Sequence, residues 1–155
     1  MFGNELTSMI DDGAGLVVGT VGDDGEPRAT RAWSVSVVDP DECRVRVVVG
    51  ADDPVTVANL VVGAGVALNG ADVRTFRSVQ LKGRIVAVEA PDPTDLEVTR
   101  VQSDLFLRTV HETDGNPLES LRRILPLDVV AVEIVVEEMY DQTPGPDAGR
   151  PLAAP

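Results

Sequence analysis

Four cations fall within eleven residues of this chain: Arg74, Arg77, Lys82 and Arg84. The whole sequence carries 26 acidic and 13 basic side chains, a formal net charge of -13, and Lys82 is its only lysine. An acidic protein that gathers cations on one stretch can hold an anion there, because guanidinium and ammonium groups bind oxyanions by charge-assisted hydrogen bonds. The plainer reading is a solvated strand whose cations offset nearby carboxylates. The stretch Thr75–Val88 alternates with the period of a strand. Phe76, Ser78, Gln80 and Lys82 point one way; Arg77, Val79 and Leu81 point the other. Arg77 and Lys82 therefore face opposite sides, and only one of them can meet a given ligand.

The remaining reactive side chains narrow the chemistry. Planar guanidinium forks suit two-point phosphate recognition at Arg31 or Arg77. Arg44 and Arg46 read instead as a hairpin face paired with Asp and Glu, and Arg122 and Arg123 as complements to a helix dipole. The single His111 follows a helix and reads as a surface residue; it excludes His-rich metal sites. Cys43 has no partner for a disulfide and reads as a packed thiol. The sequence has no Ser-His-Asp or Cys-His arrangement, no Gly-x-Gly-x-x-Gly and no phosphate-cradling loop ending in Lys-Ser or Lys-Thr, which argues against Rossmann and nucleotide-hydrolase folds.

The elements that must position these residues follow from composition and pattern. At 155 residues one domain is expected. Hydrophobic residues make up 43% and aromatics 3%, so the core is aliphatic and β-branched, which favours strands. A pI near 4.3 argues against binding nucleic acid or an anionic membrane. No apolar run is long enough to span a bilayer and the N-terminus lacks a secretory pattern, which fits a cytoplasmic setting.

In order, Asn4 caps a short helix over Glu5–Asp11 that Gly13 ends. Ala14–Gly22 is a strand, Asp24-Gly25 a hairpin turn, and Pro27–Val38 a second strand with Trp33. Cys43–Gly50 is a third strand. Asp52-Asp53-Pro54 starts a helix over Val55–Val62. Gly65–Asn69 is a fourth strand, with Asn69-Gly70 opening a turn, and Phe76–Glu89 a fifth. A helix runs from Asp95 to about Val110 with Leu96, Val98, Val101, Leu105 and Leu107 loosely on one side. Pro117–Leu125 is a short helix and Leu127–Met139 the last strand. Residues 141–155 are rich in Pro and Gly and read as an extended tail after a domain over residues 1–140. Six mostly hairpin-linked strands with few short helices predict a mainly β, six-stranded antiparallel barrel with flanking helices.

The order of short motifs carries a resemblance. Gly19-Thr20-Val21-Gly22 and Asp24-Gly25-Glu26-Pro27-Arg28-Ala29 come first, followed by the Trp33 strand. Ala58-Asn59-Leu60, Val66-Ala67-Leu68-Asn69 and the Arg77-Ser78-Val79-Gln80-Leu81-Lys82-Gly83 strand come after. Over Leu6 to Tyr140 the chain resembles the pyridoxamine 5'-phosphate oxidase-like family of FMN-binding split β-barrels. The resemblance implies an FMN-dependent oxidoreductase acting on a small organic substrate, a homodimer with two cofactor sites at its interface, and a flavin lying against the second and third strands. It places Arg28, Thr30, Arg31, Ala32, Trp33 and Ser34 at the flavin edge, Thr56 and Asn59 in the helix after the third strand, and Arg77, Ser78, Gln80 and Lys82 on the central strand. The chain departs from the family pattern twice. Thr56 stands where many members have a phosphate-binding lysine, and the C-terminus lacks the Arg-x-His pattern of the vitamin-salvage enzymes. The resemblance also admits the 8-hydroxy-5-deazaflavin coenzyme in the same groove, or a non-catalytic flavin- or haem-binding module; for haem, His111 is the one obvious ligand, which ranks haem low.

Overall fold

The structure is a computed structural model that describes Thr7 and residues 13–152. Apart from Thr7, the helix expected over Glu5–Asp11 lies outside the described residues. Seven strands follow: β1 Gly15–Val21, β2 Pro27–Asp39, β3 Arg44–Gly50, β4 Gly65–Ala71, β5 Ser78–Glu89, β6 Val129–Asp141 and β7 Arg150–Pro151. Helix α1 is Pro54–Asn59, α2 is Pro93–Asp114 and α3 is Leu118–Leu121, continued by a 3-10 turn over Arg122–Ile124. The sheet order is β3-β2-β1-β4-β5-β6-β7, and β3 also pairs with β6. That second pairing closes six antiparallel strands into a barrel. The expected fold class is borne out.

The barrel is filled by aliphatic side chains. Val18, Val35, Val45, Val47, Leu68, Leu81, Ile85 and Val132 are all almost fully buried. Alternation supplies them, because every second residue of β1, β4 and β5 points inward. No helix among the described residues is long and apolar enough to cross a membrane.

Several boundaries differ from the sequence expectation, each for a local reason. Asn69 and Gly70 do not turn; they sit inside β4 opposite Gln80 and Val79. The turn comes at Asp72, whose carboxylate accepts from the backbone N–H of Arg74 at 2.7 Å and Thr75 at 3.2 Å. The fifth strand therefore starts at Ser78, and Arg74, Phe76 and Arg77 belong to the turn. Helix α1 stops at Asn59, earlier than expected. In β2 the register slips between Ala32 and Ser34. This bulge breaks the alternation, so Ala32, Trp33, Ser34 and Val35 are all buried in succession.

Helix α2 is longer than expected and buries a different face. Leu96 and Val101 are exposed, while Asp95, Ser103, Phe106, Leu107 and Thr109 are buried. The cause is β2. Strand β1 pairs with it only as far as Ala32, leaving the edge beyond without a strand partner. Helix α2 covers that edge with polar groups: Gln102 Nε2 donates to the Val35 carbonyl at 2.9 Å, and its Oε1 accepts from the Val35 N–H at 3.0 Å. The Ser34 and Thr99 hydroxyls share a hydrogen bond of 2.8 Å. The helix thus docks by satisfying backbone groups, a demand that hydrophobic periodicity does not report.

The described part of the C-terminal segment folds back instead of extending. Arg150 and Pro151 pair with Asp141 and Tyr140, and the Ser78 N–H donates to Thr143 Oγ1 at 3.1 Å.

Candidate functional site

The outward face of β2, β1, β4 and β5 brings three rows of side chains into register. Arg31, Val17, Asn69 and Gln80 form the first row, and Ala29, Gly19, Ala67 and Lys82 the second. Pro27 and Val21 begin the third, which Gly65 and Arg84 complete. The middle of this face is built from Gly19, Ala29, Gly65 and Ala67, which leave a trough of about 800 Å3 between taller side chains. A Cβ placed on Gly19 would meet nothing closer than 3.9 Å, and one on Gly65 nothing within 4 Å. The floor is therefore open above the backbone.

Cations rim the trough. Arg28, Lys82 and Arg84 line it together with Glu137. Arg84 is held by Glu137 at 3.3 Å. Arg28 and Lys82 have no carboxylate within ion-pair distance among the described residues, and Lys82 Nζ lies 4.8 Å from the centre of the Tyr140 ring. The Tyr140 hydroxyl donates to Glu138, which raises its pKa. Arg28 and Lys82 are thus free of close ion pairs among the described residues, and the Arg28 charge acts only at longer range, helping to lower the Asp53 carboxyl. Arg28 also borders an adjoining groove of about 520 Å3 with Asn59, Val55 and Asp24.

The other residues expected at the site fall elsewhere or are already engaged. Thr30 is half-buried opposite Val18. Ala32 belongs to the core and Trp33 is 5% exposed. Ser34 is committed to Thr99. Thr56 is buried, and its hydroxyl donates to Asp53 at 2.7 Å. This bond, with those from the Val55 and Thr56 N–H groups, holds the Asp53 carboxyl below its usual range. Thr56, which stands where many family members have a phosphate-binding lysine, thus gives its hydroxyl to a carboxylate of its own helix cap. Asn59 donates to Thr20 Oγ1 at 3.2 Å. Arg77 is exposed in the turn before β5, and Ser78 is buried with its hydroxyl donating to the Phe76 carbonyl. Gln80 meets Gln142 at 3.4 Å. The structure brings together Arg28, Lys82 and, one row further, Arg31 and Gln80. It does not join them to Ser34, Thr56 or Arg77.

Two features of the face escape the sequence. The smooth floor needs the strand order β2-β1-β4-β5, since Gly19, Ala29 and Ala67 come from three strands. The second is a groove of about 720 Å3 at the opposite end of the face, lined by Arg31, Phe76 and Phe106 among others.

The pairing of Arg44 and Arg46 with carboxylates is borne out. Arg46 meets Asp95, Glu89 and Glu133 at 2.8 to 3.0 Å, and Arg44 meets Glu42 and Glu133. His111 Nδ1 lies 2.7 Å from the Asn116 carbonyl at the end of α2, outside the trough.

No family profile and no curated protein matches the sequence. Solved structures do match in shape. A candidate pyridoxamine 5'-phosphate oxidase from Lactobacillus delbrueckii aligns with TM-score 0.55 at 18% identity, covering 90% of this chain and 93% of that one. The haem storage protein HutZ from Vibrio cholerae aligns with TM-score 0.52 at 14% identity, covering 89% and 92%. A protein described as an F420 reductase aligns with TM-score 0.50 at 17% identity, covering 85% and 93%. At these identities the likeness concerns fold, and one fold hosts several chemistries. The closed barrel, its strand order and these alignments together show that the chain has the split-barrel fold of the pyridoxamine 5'-phosphate oxidase-like proteins.

Proposed function

We propose that this protein is a flavin-dependent oxidoreductase that holds FMN in the trough on the β2-β1-β4-β5 face and acts on a small organic substrate. The observation that carries this reading is the pair Arg28 and Lys82, uncommitted cations beside the flat floor of Gly19, Ala29, Gly65 and Ala67. A planar ring needs a floor without side chains, and a phosphate needs donors with positive charge. When bound, the flavin supplies the redox chemistry, and the chain supplies binding and orientation. The Arg28 guanidinium and the Lys82 ammonium donate to the phosphate oxygens. The apolar floor keeps water from the ring face. The hydroxyls of Ser34, Thr56 and Ser78 serve the fold, so the cations carry the binding.

The site is open to one side, and a second copy of the chain closes it. Val17 is 40% exposed and Val21 58% exposed on the same face, an apolar surface that pairing two copies buries. Sedimentation equilibrium is expected to report a dimer.

A second reading, the 8-hydroxy-5-deazaflavin coenzyme, is favoured by the spread of the cations. Arg31, Lys82 and Arg84 stand along the face and Arg28 at its edge, a spread that suits a longer anionic tail. A haem reading finds no imidazole in the trough, because His111 lies at the end of α2.

Absorbance and fluorescence titration with FMN, then with the deazaflavin coenzyme, tests the proposal. Lys82→Gln is expected to weaken FMN by roughly 1.5–3 kcal/mol, the size of a hydrogen bond to a charged group. Gly19→Val is expected to leave the fold intact, since its Cβ meets only ordinary contacts, and to abolish binding by filling the floor. Wild-type FMN affinity in both variants would remove the trough from consideration. Arg77→Ala, outside the trough, is expected to have the smaller effect.

A further inference from the structure

We propose that the groove at the other end of this face, between α2 and the β4–β5 turn, binds an aromatic monocarboxylate. It has a volume of about 720 Å3, within the range of small-molecule sites. Two of the chain's three phenylalanines, Phe76 and Phe106, line it. In a sequence with 3% aromatic residues this is a local concentration. Val17, Leu107, Val110 and Ile124 complete apolar walls.

Arg31 supplies the charge. Its guanidinium carbon lies 5.4 Å from the centre of the Phe106 ring and 6.0 Å from that of Trp33. It is exposed, and no carboxylate pairs with it among the described residues. Cation–π contact with the two rings holds the guanidinium beside the groove and leaves its N–H groups available for a carboxylate.

Phe76 adds an independent sign. Its φ is +59°, in the left-handed region that bulky side chains avoid. Phe76 is 66% exposed, so its own burial does not compensate. The Asp72 turn holds it there, with the Phe76 N–H donating to the Asp72 carbonyl at 2.9 Å. Backbone outliers of this kind cluster at active sites and ligand clamps, and this one carries a ring that lines the groove.

The other charges define the ligand. Arg74 is occupied by Glu112 at 2.7 Å. The Asp72 carboxylate is spent on the turn amides, and Asp114 stands on the lip. One uncommitted cation with two acids nearby fits a single negative charge better than a phosphate dianion. Two rings fit an aromatic body. The inference does not depend on the flavin reading.

Trp33 is the only tryptophan, so its fluorescence reports on Arg31 directly. The test is titration of the whole protein with 3-phenylpropionate, followed by tryptophan emission and by calorimetry. A saturable signal is expected in both. The neutral 3-phenylpropionamide and the Arg31→Gln variant are each expected to bind about tenfold more weakly or worse, as loss of a charge-assisted pair predicts. Phe76→Ala is expected to weaken binding severalfold while keeping the thermal transition, because that ring is exposed. Arg74→Gln is expected to change affinity less than about threefold, since Glu112 already holds it. No saturation by about 10 mM probe, well below the affinity of ordinary small-molecule sites, would overturn the proposal. So would equal affinity for the amide, or for Arg31→Gln. Displacement of the probe by FMN would move the flavin into this groove and overturn the assignment of a separate site.

Discussion

Gly83→Ala is expected to destabilise the barrel by about 4 kcal/mol, at the extreme of single substitutions. A Cβ on Gly83 would lie 1.9 Å from the Val135 carbonyl oxygen and 2.9 Å from its carbon. Both are backbone atoms of β6 and cannot swing aside. The register of β5 against β6 slips between Lys82 and Gly83, which brings the two chains together at this point. The glycine is required by close approach, since its φ lies outside the left-handed region. Its substitution must push β6 away, and β6 closes the barrel against β3. Urea unfolding monitored by far-ultraviolet circular dichroism checks this. Gly65→Ala, whose Cβ meets nothing, is the control and is expected to shift stability by less than about 0.5 kcal/mol. Equal midpoints for the two variants would refute the close-approach account.

Asp95→Asn is expected to cost about 3 kcal/mol, because it leaves a buried guanidinium short of its main partner. Arg46 Nε donates to Asp95 Oδ1 at 2.8 Å and Nη2 to Oδ2 at 2.9 Å. The side chains are only 12% and 7% exposed. Asp95 also accepts from the Asp92 N–H at 2.9 Å, completing the cap of α2. Glu89 and Glu133 keep part of the Arg46 charge compensated, which holds the cost below that of a fully orphaned ion. The hydrogen bond from Arg46 is the largest influence on the Asp95 carboxyl and lowers its pKa; burial opposes it. A lowered folded-state value sets the sign of the pH effect. The pair's contribution is complete above the unfolded carboxyl value, about 4. It is lost as pH falls through the folded value. Wild-type stability is therefore expected to drop more steeply below about pH 4 than that of Asp95→Asn, and the two curves converge in acid. Parallel acid limbs would show that the pair contributes nothing. Arg46→Met with Asp95→Leu is expected to recover part of the loss, since matched apolar groups need no partner.

The site was partly legible in the sequence. Lys82 stood out as the only lysine in an acidic chain, and it does rim the trough. The resemblance places Arg28 and Arg31 on the second strand, and neither has a carboxylate within ion-pair distance among the described residues. The resemblance places Ser34, Thr56 and Ser78 at the cofactor, but each hydroxyl hydrogen-bonds within the fold. A sequence shows that a hydroxyl exists, not whether a neighbour has taken it. Arg77 was placed on the central strand because alternation was extrapolated through the turn. The Asp72 carboxylate ends that alternation by capturing amide groups, an interaction decided by side-chain geometry.

The sequence by itself determined the mainly β class, the six barrel strands and their approximate places, and the aliphatic core. Those depend on the alternation of Val, Leu and Ile, which is a local property. It also determined that Arg44 and Arg46 pair with carboxylates, since acids outnumber bases throughout. Tertiary structure decided the rest. Pairing of β1 with both β2 and β4 aligned Gly19, Ala29 and Ala67 from three strands into one floor. The exposed edge of β2 chose the polar face of α2 that docks on it. The approach of β6 to β5 made Gly83 indispensable. Each of these depends on which distant segments become neighbours, and hydrophobic periodicity fixes which face a side chain takes without fixing what it will meet there.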